Sequence, residues 1–478
     1  MTTVDWWTLG DVIEALSGAR PPGPTPVVRD FGMDSRTIGV GGVFVALPGS
    51  QLDGHDFVAA AFRRGARAAL VHREVPVQAL TLDMRQPPAA WPEAWKRPVL
   101  LRVEDALTGL QNLARYWRRR HEALQVVGIT GSIGKTTTKE VIAQVLSAHQ
   151  PTLKSPGNYN SEIGLPLSLV RARSYHRFAV LEMGFYVPGD IALLCDIARP
   201  HIGVVTAIDR VHAERAGSLE AIVQGKAELV QALPEEGVAV LNMDDPWVAQ
   251  MARWTSARVV GYGMSPEAQV RASDVQVRGL QGLRFQVHAE GVTYTVTTPL
   301  LGRHAVYAAL AAIAVARSLG VPWETLLTAL AHMYYRPRLR PFRGPKGSWI
   351  LDDAYNAAPR STIAALEFLA ALPGERIAVL GDMLELGPYE EEGHREVGRK
   401  AAQVVDRLIA VGPRARWLAQ AAAEAGLPRE ALRLAQDPEE AWHHLRPWLH
   451  ERAVVLVKAS RAVGLDALVR RLEEEARA

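Results

Sequence analysis

The 478-residue sequence contains a single cysteine, Cys195. One cysteine excludes an internal disulfide framework and a cysteine-ligated zinc site, and a reducing cytoplasm is the simplest expectation. Long apolar runs are also missing. The longest, Ala305 to Ala316, falls short of the ~20 residues that cross a bilayer, so no membrane span is expected. The chain does not open on a basic segment: Asp5, Asp11 and Glu14 stand there instead, unlike a secretory leader. Net charge is small, with 54 basic residues against 51 acidic ones, and no nucleic-acid partner is expected. Lysine is scarce, supplying eight of the 54 basic residues. The arginine bias suits phosphates and carboxylates, though genome composition or heat adaptation accounts for it equally well. The 39 glycines follow no triplet period, which excludes collagen. What remains is 48% hydrophobic and 22% charged, the balance of a soluble globular protein with two to four domains.

Two proline-rich breaks divide the chain. Gln86 to Pro98 and Tyr335 to Gly347 read as linkers. They give expected domains at 1–97, 98–335 and 336–478, with a hinge in the second linker. The first domain is a small mixed α/β unit, with strands at Val43 to Leu47 and Ala68 to His72 and a helix at Phe57 to Arg64. The second opens on a helix, Ala106 to Arg120. Apolar strands then alternate with helices: Val126 to Thr130, Phe178 to Glu182, Gly203 to Thr206, Val238 to Asn242 and Arg258 to Gly261. That alternation predicts a central parallel sheet with flanking helices. Val270 to Thr298 reads as an antiparallel patch, from the alternation around Tyr294. The third domain repeats the pattern at Trp349 to Leu351, Ile377 to Leu380, Leu408 to Val411 and Val454 to Val457. It predicts a Rossmann-like doubly wound sheet, and the fold class is α/β in three domains.

The sharpest signal is Val126-Val-Gly-Ile-Thr-Gly-Ser-Ile-Gly-Lys-Thr-Thr-Thr138. An apolar strand enters a glycine-rich turn, and Lys135 opens a helix. Backbone N–H groups of such a turn converge on phosphate oxygens, and the helix start adds positive potential. The register is shifted from the general P-loop: Ile129 stands at its first glycine position, and Gly131 lies inside the loop. An ATP or GTP site is expected, with Gly131, Ser132, Gly134, Lys135, Thr136 and Thr137 around the phosphates. Glu182 ends a strand, where it either holds Mg²⁺ or caps a helix. By itself, His212 reads as a loop histidine rather than a ligand for a hard cation. Lys226 alone reads as an ordinary helix lysine.

Taken in order, Thr130-Gly-Ser-x-Gly-Lys-Thr-Thr, Glu182, His212 and Lys226-x-Glu228 resemble the Mur ligases, ATP-dependent amide-forming enzymes of peptidoglycan synthesis. Leu351-Asp-Asp-Ala-Tyr-Asn-Ala-Ala-Pro359 resembles that family's D-x-Y-N-A-N-P segment. Val379-Leu-Gly-Asp-Met-Leu-Glu-Leu-Gly387, followed by His394, and Val457-Lys-Ala-Ser-Arg461 resemble the branch that adds D-alanyl-D-alanine. Asp34-Ser-Arg36, Val43 to Leu47 and Asp53-Gly-His55 resemble its uridine-nucleotide domain. The resemblance runs from about residue 30 to 465.

The resemblance implies UDP-N-acetylmuramoyl-tripeptide and D-alanyl-D-alanine as partners, ATP with Mg²⁺ or Mn²⁺ as cofactors, and a monomer. It implies that Ser35 and Arg36 seat the uridine diphosphate and that Asn158 and Asn160 line the path to the reacting carboxylate. Lys226 is then the lysine the family carbamylates, and it joins Thr136, Glu182 and His212 at the metal. Lys135, Lys226, His212 and Glu182 form the catalytic set. Arg338, Asp353, Tyr355 and Asn356 meet ATP from the third domain, and Arg461 and Asp382 lie near the dipeptide. Neither Asp382 nor His394 is marked by sequence as the base for the amine step. Several family asparagines are absent: Ser161, Ala207, Ala305, Tyr307 and Ala358 stand in their places, and Pro337 replaces a glycine.

Overall fold

The computed structural model describes residues 6–49, 51–88, 90–209, 218–334 and 339–477. His212, Pro337 and Arg338 lie outside the described residues. Among the described residues, three larger sheets and one two-stranded ribbon organise the fold.

The first sheet runs Phe31–Gly32, Val43–Val45, Ala68–Val71, Val99–Arg102, Leu80–Asp83, all parallel. Val99–Arg102, inside the bounds expected for the central domain, instead pairs between two strands of this sheet. The sheet therefore takes in residues beyond 97. The proline-rich Gln86 to Pro98 stretch is a connection within the domain, and it masked the short strands on either side of it. The expected helix at Phe57 to Arg64 is a tight turn, Gly54–Phe57, continued by the helix Val58–Arg63.

The helix Ala106–Arg120 follows. Asp105 starts it by accepting a hydrogen bond from the Thr108 N–H at 2.7 Å, and Arg118, Arg119 and Arg120 crowd its last turn. Acceptors at a helix start and cations at its end both match the backbone dipole. Trp117 on this helix stacks on Trp7 with ring centroids 4.1 Å apart, and the Trp7 indole donates to the Val170 carbonyl at 2.9 Å. One apolar cluster consequently runs from the first sheet through this helix into one face of the central sheet.

The central sheet has nine strands. From one edge they are Thr152–Lys154, Phe178–Glu182, Gln125–Thr130, Ile202–Val205, Val238–Asn242, Arg258–Gly263, Val270–Val277, Leu283–Ala289 and Val292–Thr298. Neighbours pair in parallel as far as Val270–Val277, then antiparallel. The predicted antiparallel patch thus continues the parallel sheet. Its far face is covered by the helices Lys135–Ser147 and Val306–Ser318, and the second of these packs through alanines that let the helices approach closely.

The third sheet runs Arg340–Arg343, Trp349–Asp353, Ala453–Lys458, Glu375–Gly381, Arg407–Val411, Leu432–Ala435. All pairs are parallel except the first. Apolar clusters cover both faces, as a doubly wound sheet requires. The arginine-rich stretch expected as a linker contributes the edge strand Arg340–Arg343, paired antiparallel in the register Arg340↔Asp352 to Arg343↔Trp349.

Arg118 is buried and donates to the Ala198 carbonyl at 2.8 Å and the His121 carbonyl at 2.7 Å. Arg118→Ala would orphan both acceptors. We expect a loss of about 2–3 kcal/mol, read as a lower urea midpoint, with turnover changed less than about twofold.

Candidate active site

The central strand Gln125–Thr130 lies between Phe178–Glu182 and Ile202–Val205, so all three carboxyl ends open onto one cleft. The turn that follows is unusually close to its neighbour. Gly131 has φ +142°, and a Cβ there would stand 2.0 Å from Thr206 Oγ1. Only glycine fits. Gly134, at φ +87°, starts the helix Lys135–Ser147. Thr206 Oγ1 donates to the Ile133 carbonyl at 2.6 Å. Ser132 is clasped twice: its N–H donates to the Ala207 carbonyl at 2.7 Å and its hydroxyl to the Asp209 carbonyl at 3.1 Å. Lys135 folds back so that its ammonium donates to the Gly131 carbonyl at 2.7 Å.

Glu182 is 1% exposed. One oxygen accepts the Thr136 hydroxyl and the other the Asn160 amide, both at 2.9 Å. A buried carboxylate held by neutral donors, beside a hydroxyl and below a helix start, is an oxygen set suited to a hard divalent cation. Lys139, one turn beyond Thr136, is fully buried and donates to the Ser155 and Gly157 carbonyls at 2.9 and 2.6 Å. It fastens the loop that carries Asn158 and Asn160. Sequence reading passed over it, because lysine on a helix usually faces solvent.

Lys226 differs from its expected solvated state. Its amine is buried without a hydrogen-bond partner among the described residues, 4.8 Å from the Phe185 ring centroid. Burial, reinforced by the charge of Lys135, holds its pKa well below the ordinary lysine value. Phe185 occupies the space where a Cβ on Gly225 would lie, 1.9 Å from its ring. Glu228 accepts N–H bonds from Gly189 and Ala192 at the start of the helix Asp190–Ala198.

The third domain forms the opposite wall of a cleft of about 860 Å³. Ser132, Gly134, Lys135, Thr136, Thr137, Asn158, Asn160 and Glu182 line one side, and Asp353, Tyr355, Asn356 and Arg461 line the other. Lys458, missed in the sequence, lies between them, donating to Asp353 at 2.5 Å and the Asn356 carbonyl at 2.9 Å. Tyr307 points its hydroxyl to Asp244 at 2.9 Å, a contact that no sequence pattern marked.

Other expected residues sit elsewhere. Asp382 is buried and accepts the Arg414 and Ala415 N–H groups at 2.9 and 2.7 Å. Leu384 and Glu385 of its loop reach the cleft in its place. His394 is fully buried, with Nε2 accepting the Met383 N–H at 3.0 Å and Nδ1 facing the Glu390 carbonyl at 2.6 Å. Both are thereby occupied in holding this loop rather than free to take a proton from an amine. Ser35 and Arg36 follow the first-sheet strand Phe31–Gly32, away from the cleft lining. Arg36 is exposed and forks onto Asp34, holding that carboxyl down at about 2.

Three family models match in chain order: the Mur ligase family catalytic domain at residues 28–118, the Mur ligase middle domain at 129–316, and the Mur ligase glutamate ligase domain at 337–461. A UDP-N-acetylmuramoyl-tripeptide–D-alanyl-D-alanine ligase of Mycobacterium tuberculosis is 39% identical over 91% of this chain and 90% of its own. This chain belongs to the Mur ligase family. Among solved Mur ligases, MurF from Acinetobacter baumannii superposes with a TM-score of 0.83 at 28% identity, covering 98% of this chain and 100% of that one. MurF from Thermotoga maritima in complex with ADP gives 0.77 at 31% identity, covering 94% and 98%.

Two outcomes test this Mur ligase site. Gly131→Ala should weaken ATP binding at least about a hundredfold while the protein stays folded, read by titration with a fluorescent ATP analogue. Burial lowers the His394 pKa below its ordinary 6.5. The unfolded chain therefore binds the extra proton first, and stability falls as pH drops through that range. His394→Gln removes this dependence. The stability gap between wild type and variant should shrink from about pH 7.5 to about pH 5.5 in urea melts.

Proposed function

We propose that the chain joins D-alanyl-D-alanine to the terminal carboxylate of UDP-N-acetylmuramoyl-tripeptide, using ATP. The observation that carries this reading is the single cleft: a phosphate loop with buried Glu182 on one wall faces Asp353, Tyr355 and Asn356 on the other. The names of the full-length relatives supply the substrates.

The tripeptide carboxylate attacks the γ-phosphorus of ATP, giving an acyl phosphate and ADP. The dipeptide amine then attacks the acyl carbon, the C–N bond forms, and phosphate leaves, giving the pentapeptide. The first step brings an anion onto a triphosphate. Lys135, released from the Gly131 carbonyl, and the helix start offset that repulsion. Thr136 and Glu182, with His212, would hold Mg²⁺ or Mn²⁺, whose charge offsets that of the phosphates. Asn158 and Asn160 orient the carboxylate from the loop that Lys139 fastens. Lys226 is suited to carbamylation, because burial disfavours the charged form of its amine. Its nitrogen would add to CO₂ and lose a proton, and the resulting anion would supply a further oxygen ligand for the metal. Ser35 and Arg36 hold the uridine diphosphate from the first domain, and Arg461 and Asp382 set the dipeptide end, the latter through its loop. ATP use favours a cytoplasmic setting, and no helix among the described residues is long and apolar enough to cross a membrane.

Phosphate release should require ATP and both peptide substrates, with omission of any one stopping it. Release without the peptides, or absence of release in every mixture, rejects the reading. Lys226→Ala should lose at least about a hundredfold in kcat, and bicarbonate should raise wild-type activity but not that of the variant.

A further inference from the structure

A contact across the cleft has no part in the chemistry above. Arg360 stands in the first turn of the third-domain helix Pro359–Ala370. A cation there opposes the helix dipole, and that turn carries no acidic residue. Its guanidinium instead crosses to the central domain, donating to the Ile208 carbonyl at 2.9 Å and pairing with Asp245 at 3.6 Å. Asp245 is 4% exposed on its side chain and accepts the Ile208 N–H at 3.0 Å. Arg360 and Asp245 thus hold Ile208 by both its backbone groups. The residues on either side, Ala207 and Asp209, are those whose carbonyls clasp Ser132 of the phosphate loop. Ala207 and Ile208 have no polar side chain, so their polar contacts are made by their backbone groups.

We propose that Arg360 is a positioning residue that couples docking of the third domain to the shape of the phosphate loop, through Asp245 and the Ala207–Asp209 segment. With the third domain docked, the segment is fixed and Ser132 is held for ATP. With it undocked, the Ile208 carbonyl loses its partner and the clasp on Ser132 loosens. Nucleotide affinity and domain position are then two readings of one equilibrium.

This rests on the ligase reading for its meaning, but its test does not. Hydrogen exchange is measured on the full chain, wild type against Arg360→Met. Arg360 is more than half exposed, so the variant folds. Peptides covering 128–136 and 206–209 should exchange about tenfold faster in the variant, while the strand Glu375–Gly381 is unchanged. Arg360→Lys, which keeps the charge, should recover most of the protection. In turnover, the KM for ATP should rise about five- to tenfold with the KM for the tripeptide substrate within about twofold. Unchanged exchange in both peptides overturns the proposal. So does equal loosening throughout the third domain, which is the mark of a purely structural residue. A wild type that releases no phosphate rejects the ligase reading and leaves the exchange result standing.

Discussion

The cleft depends on an approach too close for any side chain. Where Gly131 passes Thr206, the missing Cβ lets the turn fold tightly against the next strand. That sets the start of the helix Lys135–Ser147 and with it the direction of every side chain on its first two turns. Thr136 then meets Glu182, and Lys139, three residues on, meets the loop at Ser155 and Gly157. Asn160 closes the circuit back to Glu182. Phosphate loop, strand end and asparagine loop are therefore one polar unit, and it hangs from a sheet covered on both faces.

Within that unit the charges are left unresolved in a useful way. Glu182 keeps a carboxyl group in the interior, accepting a hydroxyl and an amide, and Lys226 keeps an amine there with no hydrogen-bond partner among the described residues. Burying either group costs free energy that a pure scaffold would avoid. Such groups mark a place where stability is given up for chemistry. The exchange of a small neighbour for a large one is visible beside it, where Gly225 makes room for Phe185 and the ring covers the amine.

Much of this was legible in the chain itself. The strands flanking the cleft are short apolar runs set between helical segments, and the glycine–lysine–threonine turn marks a phosphate site. The short strands Leu80–Asp83 and Val99–Arg102, which pair with each other, were hidden because the proline-rich stretch between them reads as a break. The roles of His394 and Asp382 in the third domain were hidden for a different reason. His394 and Asp382 carry catalytic side-chain types, but burial and backbone partners, which no local pattern reveals, commit them to holding a loop. Lys139 and Lys226 were opaque for the same cause. A buried lysine and a solvated one look alike in sequence, and only the packing of distant segments separates them. Arg360 could be noticed as a cation at the wrong end of a helix, yet its partner lies more than a hundred positions away.

The stacked pair Trp7 and Trp117 has a mechanical consequence. Because these rings, with the indole bond to Val170, sit inside a single apolar cluster, the first sheet and the central sheet have no seam between them. The third sheet, by contrast, encloses two clusters of its own, one drawing in a few central-domain residues such as Leu301. The molecule is thus a two-piece clamp rather than a three-piece one. The first and central sheets are joined through one apolar cluster, so opening and closing of the cleft reduce to one joint, that with the third sheet.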